Sequence, residues 1–267
     1  MAKVAITGAS GNVGRETIEA LDDHELTLYS HSEHEDLDTE TLEIEDRDAF
    51  LDALEGQDVL VHLAANPSPD AAWDEVSGPN VEGAYNAYHA AVENDLERVI
   101  FASSNHAVNM GNVTSPVRPE STEGRPSAVH VDDPPNPDTY YGVTKVFGEA
   151  LGRYYATRHG IEVISLRIGW LLSRDDLRET CAERDGPGER YARAMWLSPD
   201  DCRRLFTAAV SSPLSGSYVT AHGISNNADR FLSLTETILE LDYRPRDDSS
   251  AIFGDGDNHA GRGLETG

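Results

Sequence analysis

The chain has 267 residues, 39% of them hydrophobic, which is enough for one substantial domain with a buried core. Its 48 acidic residues outnumber its 21 Lys and Arg residues, and the formal net charge of −27 opposes binding to nucleic acid or to an anionic membrane. The sequence contains no apolar run long enough to span a bilayer, so we expect neither a transmembrane protein nor a nucleic-acid-binding one.

The cysteines and the N-terminus indicate the cell compartment. Cys181 and Cys202 make no disulfide framework, and the chain enters a strand pattern at once, without a secretory signal. We therefore expect a cytoplasmic protein. The strong acidity and the presence of only two lysines, Lys3 and Lys145, resemble proteins of salt-loving organisms. An anionic substrate would need a local cluster of arginines to bind it, because the negative charge of the whole protein repels anions.

The first elements predict a dinucleotide site. A β-branched strand over Lys3–Thr7 runs into a glycine turn, and helical spacing follows over Arg15–Leu21. The first glycine of the turn permits a tight bend, the second lets backbone N–H groups approach a pyrophosphate, and the third lets the helix pack on the strand. The residues of this turn that we expect to contact the cofactor are Gly8, Ser10, Gly11, Asn12, Val13 and Gly14.

The next strands supply the rest of that site. The strand over Leu26–Ser30 ends in Ser30 and His31, where an NAD-selective site usually carries an acidic residue, so both NAD and NADP stay open. A third strand is expected to end at Glu43 and Ile44, near the adenine, and a helix over Asp46–Leu54 follows it. The buried strand Val59–Leu63 leads into small residues that let a dinucleotide lie close, and we assign Leu63, Ala64 and Ala65 to the site. The acidic run 31–36 is interpreted as a solvated loop, and no metal site is predicted.

Polar residues that can bind a substrate follow a fifth strand. Helical periodicity extends over Trp73–Glu93, with Asn80 in its middle, and the strand Arg98–Ala102 comes next. Its end carries Ser103, Ser104, Asn105 and His106, at the edge where open α/β sheets bind their ligands. For Ser103 and His106, a purely structural role is an open alternative. The Pro- and Gly-rich segment 111–138 is long enough to be a lid.

Tyr141 and Lys145 are the residues that indicate a reaction. On a helix over Thr139–His159 they stand at positions i and i+4, so the phenol and the ammonium share one face. A cation within about 4–6 Å lowers a phenol pKa, which makes Tyr141 a candidate proton acceptor. The spacing alone also occurs in ordinary amphipathic helices, and the preceding elements give it weight.

The predicted fold is α/β, a Rossmann-type doubly wound parallel sheet with a small C-terminal substrate-covering region. Later elements are a strand over Ile161–Ile168, a helix capped by Ser198 with Pro199 in its first turn, a strand over Ser217–Ala221 and a helix over Leu232–Leu241. We expect a single domain over residues 1–250, with substrate-covering segments at about 111–138 and 171–197, and a disordered tail over 251–267.

Taken together, these motifs resemble the extended short-chain dehydrogenase/reductase superfamily. The motifs Ser103-Ser104-Asn105-His106, Tyr141-Gly142, Leu166-Arg-Ile-Gly169 and Met195-Trp-Leu-Ser-Pro199 look like uronate dehydrogenases and, equally, like the haloarchaeal NAD-dependent glucose-6-phosphate dehydrogenase. The likeness runs from the first strand to Asp248. It implies oxidation of the anomeric carbon of a hexuronate, hexose phosphate or related aldose to a lactone, with NAD or NADP as the cofactor.

The resemblance also implies roles for individual residues. Tyr141 would be the general base, Ser104 would hydrogen-bond the same sugar oxygen, and Lys145 would hold the nicotinamide ribose. Asn80 and Ile168 would lie at the cofactor. Ser103, Asn105 and His106 would contact the sugar.

Two positions depart from the uronate dehydrogenase pattern. Trp170 replaces the serine that follows Arg-Ile-Gly, and Tyr191 stands where the carboxylate-binding arginine is expected. Arg190 and Arg193, on either side of Tyr191, are therefore candidate ligands for a substrate anion, with solvated surface charge as the open alternative.

Two other classes of function share parts of this pattern. A nucleotide-sugar epimerase or dehydratase uses the same tyrosine, lysine and glycine turn, but it usually has a larger C-terminal region. A non-catalytic dinucleotide sensor would not need Tyr141 or Lys145. The resemblance also suggests a homo-oligomer, formed through the helices near Val76–Glu93 and Thr139–His159.

Overall fold

A computed structural model describes residues 1–115, 117–118 and 120–253 of the chain. Its main strands are β1 (Lys3–Thr7), β2 (Glu25–Ser30), β3 (Glu40–Thr41), β4 (Val59–His62), β5 (Arg98–Ser104), β6 (Glu162–Ile168) and, after two short strands, β9 (Tyr218–Gly223). These strands pair in parallel in the order β3-β2-β1-β4-β5-β6-β9. The two short strands, β7 (Trp170–Leu171) and β8 (Trp196–Leu197), pair with each other. The parallel sheet confirms the predicted Rossmann-type fold.

Helices cover both faces of this sheet. They are α1 (Asn12–Ala20), α2 (Arg47–Ala53), α3 (Trp73–Val76), α4 (Gly83–Glu93), α5 (Tyr140–His159), α6 (Arg174–Ala182), α7 (Gly186–Met195), α8 (Pro199–Ser211), α9 (Thr235–Leu241) and α10 (Ser250–Phe253). Within the described part of the chain, no helix combines the length and the hydrophobicity that crossing a bilayer requires.

The core consists of two layers because successive strand residues point to opposite faces of the sheet. Val4 and Ile6 of β1 pack in one buried cluster together with Leu205 and Phe206 of α8. Ala5, between them in sequence, packs in the other buried cluster, which includes Phe50 of α2, Tyr88 of α4 and Tyr155 of α5. Helices therefore cover the strands on both sides, and all four residues of β4 are buried, three of them apolar and the fourth His62.

The predicted helix over Trp73–Glu93 is interrupted. Between α3 and α4, residues Ser77–Glu82 form a π-helical segment that contains Pro79 and Asn80. A proline has no N–H to donate to the preceding turn, which favours a widened turn at this place, and such insertions often occur at functional sites. The interruption gives Asn80 a buried position of its own.

Three other segments differ in structure from what we expected. β3 ends at Thr41, because only Glu40 and Thr41 pair with β2, so Glu43 and Ile44 belong to the following loop. Within the second expected covering segment, α6 and α7 are regular helices, and α7 begins in the Gly-Pro-Gly sequence at 186–188 behind the N-cap Asp185. The helix expected from Leu232 starts only at Thr235, since Leu232 makes a strand-like bridge with Val129.

The end of the chain is described in part. Residues 250–253 form α10, so the expected disordered tail does not begin at 251, and the rest of that expected segment, residues 254–267, lies outside the described residues. Cys181 and Cys202 are free and buried.

Candidate active site

A crevice opens where the strand order reverses, at the carboxyl ends of β1 and β4. Its volume is about 700 Å³. All but two of the predicted cofactor contacts line it, namely Gly8, Ser10, Gly11, Asn12, Val13, Gly14, Ser30, His31, Glu43, Ile44, Leu63, Ala64 and Ala65. The two exceptions are Asn80 and Ile168.

The glycine turn is shaped by backbone contacts. Gly8 has a φ of +71°, and a Cβ there would stand 2.8 Å from the backbone nitrogen of Ala64. A Cβ on Gly14 would lie 2.5 Å from the carbonyl oxygens of Gly8 and Ala9, whereas one on Gly11 would meet only the Gly8 oxygen at 3.4 Å. Gly8 and Gly14 are therefore required by the fold itself. Gly11 leaves free space in front of the N-terminus of α1, where an anion is favoured.

A smaller cleft of about 240 Å³ adjoins this crevice. Val13, Leu63 and Ala65 line both spaces, so a dinucleotide and a second molecule can meet there. The predicted residues that line the smaller cleft are Ser103, Ser104, Asn105, His106, Tyr141, Lys145, Ile168 and Trp170. Ile168 thus faces the cleft rather than the crevice.

Tyr141 and Ser104 meet inside this cleft. The side chain of Ser104 hydrogen-bonds the side chain of Tyr141 and accepts a hydrogen bond of 3.2 Å from the backbone nitrogen of His106. Thr139 caps α5, which places Tyr141 in the first turn, and Gly142 allows that turn to pack closely. A Cβ on Gly142 would lie 2.3 Å from the carbonyl oxygen of His106.

Burial acts on both members of the Tyr141–Lys145 pair. It raises the pKa of Tyr141 to about 12, against a lowering by the Ser104 hydrogen bond, and it lowers the pKa of Lys145 to about 7. The Lys145 Nζ lies 5.4 Å from the centre of the Tyr141 ring. Our prediction that this lysine lowers the Tyr141 pKa is wrong for the structure as it stands. Loss of solvation is the largest cause of the raised pKa, and the charge of Lys145 is not among its causes.

His62 and Phe101 lie on the other side of Lys145. The Nζ lies 5.2 Å from the centre of the Phe101 ring. Burial, and after it the charge of Lys145, lowers the pKa of His62 to about 3. The His62 Nδ1 is 2.8 Å from the Thr7 hydroxyl, at the end of β1. Lys145 thus sits in an apolar and neutral environment.

Asn80 supports the site from behind and does not line the crevice. Its Nδ2 donates to the Thr144 hydroxyl and to the Asn66 carbonyl, both at 3.0 Å, and its Oδ1 accepts from the Asn66 backbone at 2.7 Å. Thr144 in turn donates to the Tyr141 carbonyl. The predicted direct contact of Asn80 with the cofactor is therefore replaced by a link that joins α5 to Asn66, which does line the crevice.

The polar residues after β5 have different partners. Ser103 donates at 2.6 Å to Glu149, which forms a two-pronged ion pair with Arg167, so its hydroxyl serves the buried scaffold. Asn105 donates to the hydroxyl of Tyr191. The His106 Nδ1 lies 2.9 Å from the buried carboxylate of Asp138, which fixes the orientation of the ring.

The two predicted anion-binding arginines are directed elsewhere. Arg190 donates to the Thr122 carbonyl, and Arg193 pairs with Asp229 and stacks on Phe253. Tyr191, between them on α7, is fully buried beside the cleft. Neither Arg190 nor Arg193 lines the cleft, because α7 turns Tyr191 inward between them, so a role of either arginine in binding a substrate anion stays a prediction.

Sequence reasoning missed Glu120 and Arg184. Glu120 lines the cleft, and Arg184 pairs with it at 2.8 Å while lying 4.6 Å over the Trp170 ring. Both come from charged segments without a motif, so no local signal marked them. Across the described part of the chain, no group of His, Cys, Asp and Glu side chains is arranged to hold a metal ion.

Sequence comparison identifies a family and two haloarchaeal relatives. The profile of the NAD dependent epimerase/dehydratase family matches residues 4–183. L-arabinose 1-dehydrogenase (NAD(P)(+)) of Haloferax volcanii is 53% identical, covering 94% of this chain and 99% of the relative. The NAD-dependent glucose-6-phosphate dehydrogenase of the same organism is 31% identical, covering 95% and 97% of the two chains.

Comparison of structures gives the same result. The crystal structure of uronate dehydrogenase from Agrobacterium tumefaciens matches 95% of this chain and 87% of its own length with a TM-score of 0.75, at 27% identity.

Proposed function

The chain belongs to the NAD dependent epimerase/dehydratase family, and on this premise we propose that it is an NAD(P)-dependent aldose 1-dehydrogenase. The reaction is the oxidation of the anomeric carbon of a sugar to a lactone. The observation that carries the proposal is the meeting of Tyr141, Ser104 and Lys145 in a cleft that opens onto the crevice at the glycine turn.

The substrate is proposed to be a neutral aldose of the L-arabinose type. The support is the 53% identity to L-arabinose 1-dehydrogenase over nearly the whole of both chains, compared with 31% to the glucose-6-phosphate enzyme. The contacts of Arg190 and Arg193 also support a neutral substrate, since both guanidinium groups bind partners outside the cleft.

The crevice fits a nicotinamide dinucleotide. Gly11 and the N-terminus of α1 suit a pyrophosphate, Leu63 to Ala65 leave room beside it, and Lys145 lines the adjoining cleft. When bound, the nicotinamide ring accepts the hydride that leaves C1 of the sugar. We propose that NAD and NADP are both used, because β2 ends in Ser30, and His31 rather than an acidic residue follows it.

The protein's own residues move the proton and hold the sugar. Tyr141 takes the proton from the hydroxyl on C1, and Ser104 hydrogen-bonds both the Tyr141 oxygen and that hydroxyl. His106, fixed by Asp138, and Asn105, fixed by Tyr191, bind further sugar hydroxyls. Because burial keeps the phenol protonated at neutral pH, the rate is expected to rise with pH.

The alternatives have less support. An epimerase or dehydratase works on a sugar held by its nucleotide, whereas the two Haloferax volcanii relatives, of nearly equal length to this chain, are sugar dehydrogenases. A dinucleotide sensor would have no use for Ser104 hydrogen-bonded to Tyr141 inside a cleft.

We also propose a single-domain organisation and a cytoplasmic location for this protein. Residues 1–250 act as one domain, and the segments 111–138 and 171–197 cover the sugar, supported by the positions of Glu120 and Arg184 at the cleft. The free thiols of Cys181 and Cys202 suit the reducing cytoplasm.

We further propose a homo-oligomer formed through α4 and α5. An exposed stripe runs along α5 at helical spacing through Tyr140, Val143, Phe147 and Tyr154, and Tyr85 of α4 is exposed as well. Exposed apolar side chains that share a helix face are typical of a protein–protein contact.

A rate panel tests the proposed reaction. L-arabinose, glucose 6-phosphate and D-glucuronate are each supplied with NAD or NADP at high salt, and the reduced cofactor and the lactone are measured. We expect equal amounts of both products from L-arabinose. Turnover of none of the sugars with either cofactor would contradict the proposal.

A further inference from the structure

Three side chains close one side of the sugar cleft. Trp170 and Glu120 both line it, the Arg184 guanidinium lies 4.6 Å over the Trp170 ring, and Arg184 forms a 2.8 Å ion pair with Glu120. Glu120 also lines a neighbouring surface groove of about 450 Å³, together with Arg184 and Arg118. The pair of Glu120 and Arg184 therefore forms the partition between the cleft and the open groove.

The indole of Trp170 is held in place from several directions. β7, on which it lies, pairs with β8 through Trp196, and the Tyr191 ring makes an edge contact at 5.1 Å. Tyr191 is fully buried, and its hydroxyl accepts a hydrogen bond from Asn105. Arg184 covers the indole on a further side. Trp170 is therefore a fixed wall of the cleft.

The charge at this wall disfavours an anion. The Arg184 guanidinium pairs with the cleft-lining carboxylate of Glu120 and is therefore already occupied. A substrate carboxylate would meet the like charge of Glu120, or it would have to displace that carboxylate from Arg184. Glu120 and Arg184 are mostly buried, with side-chain exposures of 27% and 31%, so salt screens this interaction less than it screens surface charges.

We propose that Trp170, Arg184 and Glu120 form a specificity wall that limits the substituent on C5 of the sugar ring. This inference rests on the proposed aldose 1-dehydrogenase activity. Trp170 limits the size of the substituent, and Glu120 with Arg184 limits its charge. The wall accepts the hydrogen of a pentopyranose and rejects the hydroxymethyl group of a hexose and the carboxylate of a hexuronate.

Three sugars isolate this effect because they share the ring configuration from C2 to C4. L-arabinopyranose carries a hydrogen on C5, D-galactopyranose a hydroxymethyl group and D-galacturonate a carboxylate. We expect kcat/KM of the wild-type protein to be at least about tenfold lower for D-galactose than for L-arabinose, because an apolar pocket usually discriminates to this extent against an extra group. For D-galacturonate, we expect kcat/KM to be lower still. Equal use of L-arabinose and either larger sugar would overturn the inference.

Two variants separate size from charge. Trp170→Ser is expected to raise the D-galactose to L-arabinose ratio of kcat/KM at least about tenfold, whereas Trp170→Phe keeps a ring at the wall and changes the ratio far less. Glu120→Gln is expected to raise the D-galacturonate to D-galactose ratio at least about fivefold, because Arg184 then becomes available to a carboxylate. The matched control is Glu123→Gln, which removes an exposed charge from the same segment and leaves both ratios unchanged.

The outcomes distinguish a failure of the proposed activity from a failure of the proposed specificity wall. If the wild-type protein oxidises none of these sugars, the proposed function fails and the wall has no substrate to select. If it oxidises L-arabinose but both ratios stay at their wild-type values in Trp170→Ser and Glu120→Gln, only the wall is refuted. Glu120→Gln changes one partly exposed side chain and provides the test even if Trp170→Ser unfolds.

Discussion

Tyr141 and Lys145 lie one turn apart on α5, and burial disfavours the charged form of each. The phenol is pushed towards its neutral form, with a pKa of about 12, and the ammonium towards the free amine, with a pKa of about 7. A buried base of this kind reduces stability whenever it carries a proton, because the unfolded chain solvates that charge better. We therefore expect Lys145 to be required for the reaction and to lower the stability of the fold.

Replacing Lys145 by Met should stabilise the protein at neutral pH while removing turnover. The folded pKa of about 7 lies below the ordinary value of 10.5, so between these pH values the unfolded state binds more protons and wild-type stability rises with pH. The advantage of the variant is therefore largest below pH 7 and shrinks towards pH 10.5. We expect its thermal midpoint at pH 7 to rise by at least about 3 °C, since 1 kcal/mol corresponds to ~2–4 °C at this chain length.

Thermal unfolding at several pH values and constant salt provides the measurement. Lys3→Met is the matched control, because Lys3 is the other lysine of the chain and is exposed at the start of β1. It should show no pH-dependent gain. A Lys145→Met midpoint that stays parallel to the wild type from pH 7 to 10 would contradict the account.

Single residues could be predicted from the sequence where the chemistry requires a type at a fixed spacing. Tyr141, Lys145 and Ser104 come together as expected, because a helix and the end of a parallel strand fix their directions. Arg190 and Arg193 could not be placed, since the face of α7 that turns inward depends on packing against Trp170. The pair of Glu120 and Arg184 joins segments 64 residues apart and leaves no local pattern.

The glycine turn is the element whose residues have the most distinct roles. Gly14 is close-packed between α1 and the turn, whereas Gly11 borders the crevice with open space around it. The same substitution at these two positions should therefore affect different properties, one the fold and the other the ligand.

Gly14→Ala should lower the free energy of unfolding by about 1–3 kcal/mol, because its Cβ would meet two carbonyl oxygens at 2.5 Å. Gly11→Ala should keep wild-type stability and bind NAD more weakly, because its methyl group would take space at the crevice. Urea unfolding and an NAD titration on both variants make the comparison. Equal stability losses, or unchanged NAD binding by Gly11→Ala, would argue against these roles.

The regular helices and strands could be predicted from hydrophobic periodicity, whereas the irregular segments could not. Apart from β3, the strands of the main sheet and the capped helix α5 lie close to their predicted ranges, and α8 begins behind its predicted cap, Ser198. The π-helical segment Ser77–Glu82 escaped prediction because its hydrophobic spacing differs little from that of a continuous helix. β3 was misplaced by a few residues because a two-residue edge strand has no periodicity to read.

For the molecule as a whole, a net charge of −27 would keep copies apart unless an apolar surface joins them. The stripe on α5 provides such a surface, with Tyr140 57%, Phe147 38% and Tyr154 56% exposed. Contact between two such stripes would remove large aromatic side chains from water.

Phe147→Glu combined with Tyr154→Glu should convert the proposed homo-oligomer to a monomer. Two further negative charges in an apolar contact face repel their copies and cannot be solvated there. Sedimentation analysis at high salt measures the mass of both forms. Leu239→Glu, at a 77% exposed position on α9, is the control and should leave the mass unchanged. A wild-type protein that sediments as a monomer would refute the proposed interface.

The reaction itself depends on Tyr141 as the proton acceptor. The most direct test compares the wild type and Tyr141→Phe in the oxidation of L-arabinose with NAD at alkaline pH, with NAD binding measured in parallel. We predict that kcat falls by about 10²–10⁴ while NAD binding is retained, because the substitution removes only the phenolic oxygen. A variant that keeps kcat within a few-fold of the wild type would contradict the assignment of Tyr141 as the base.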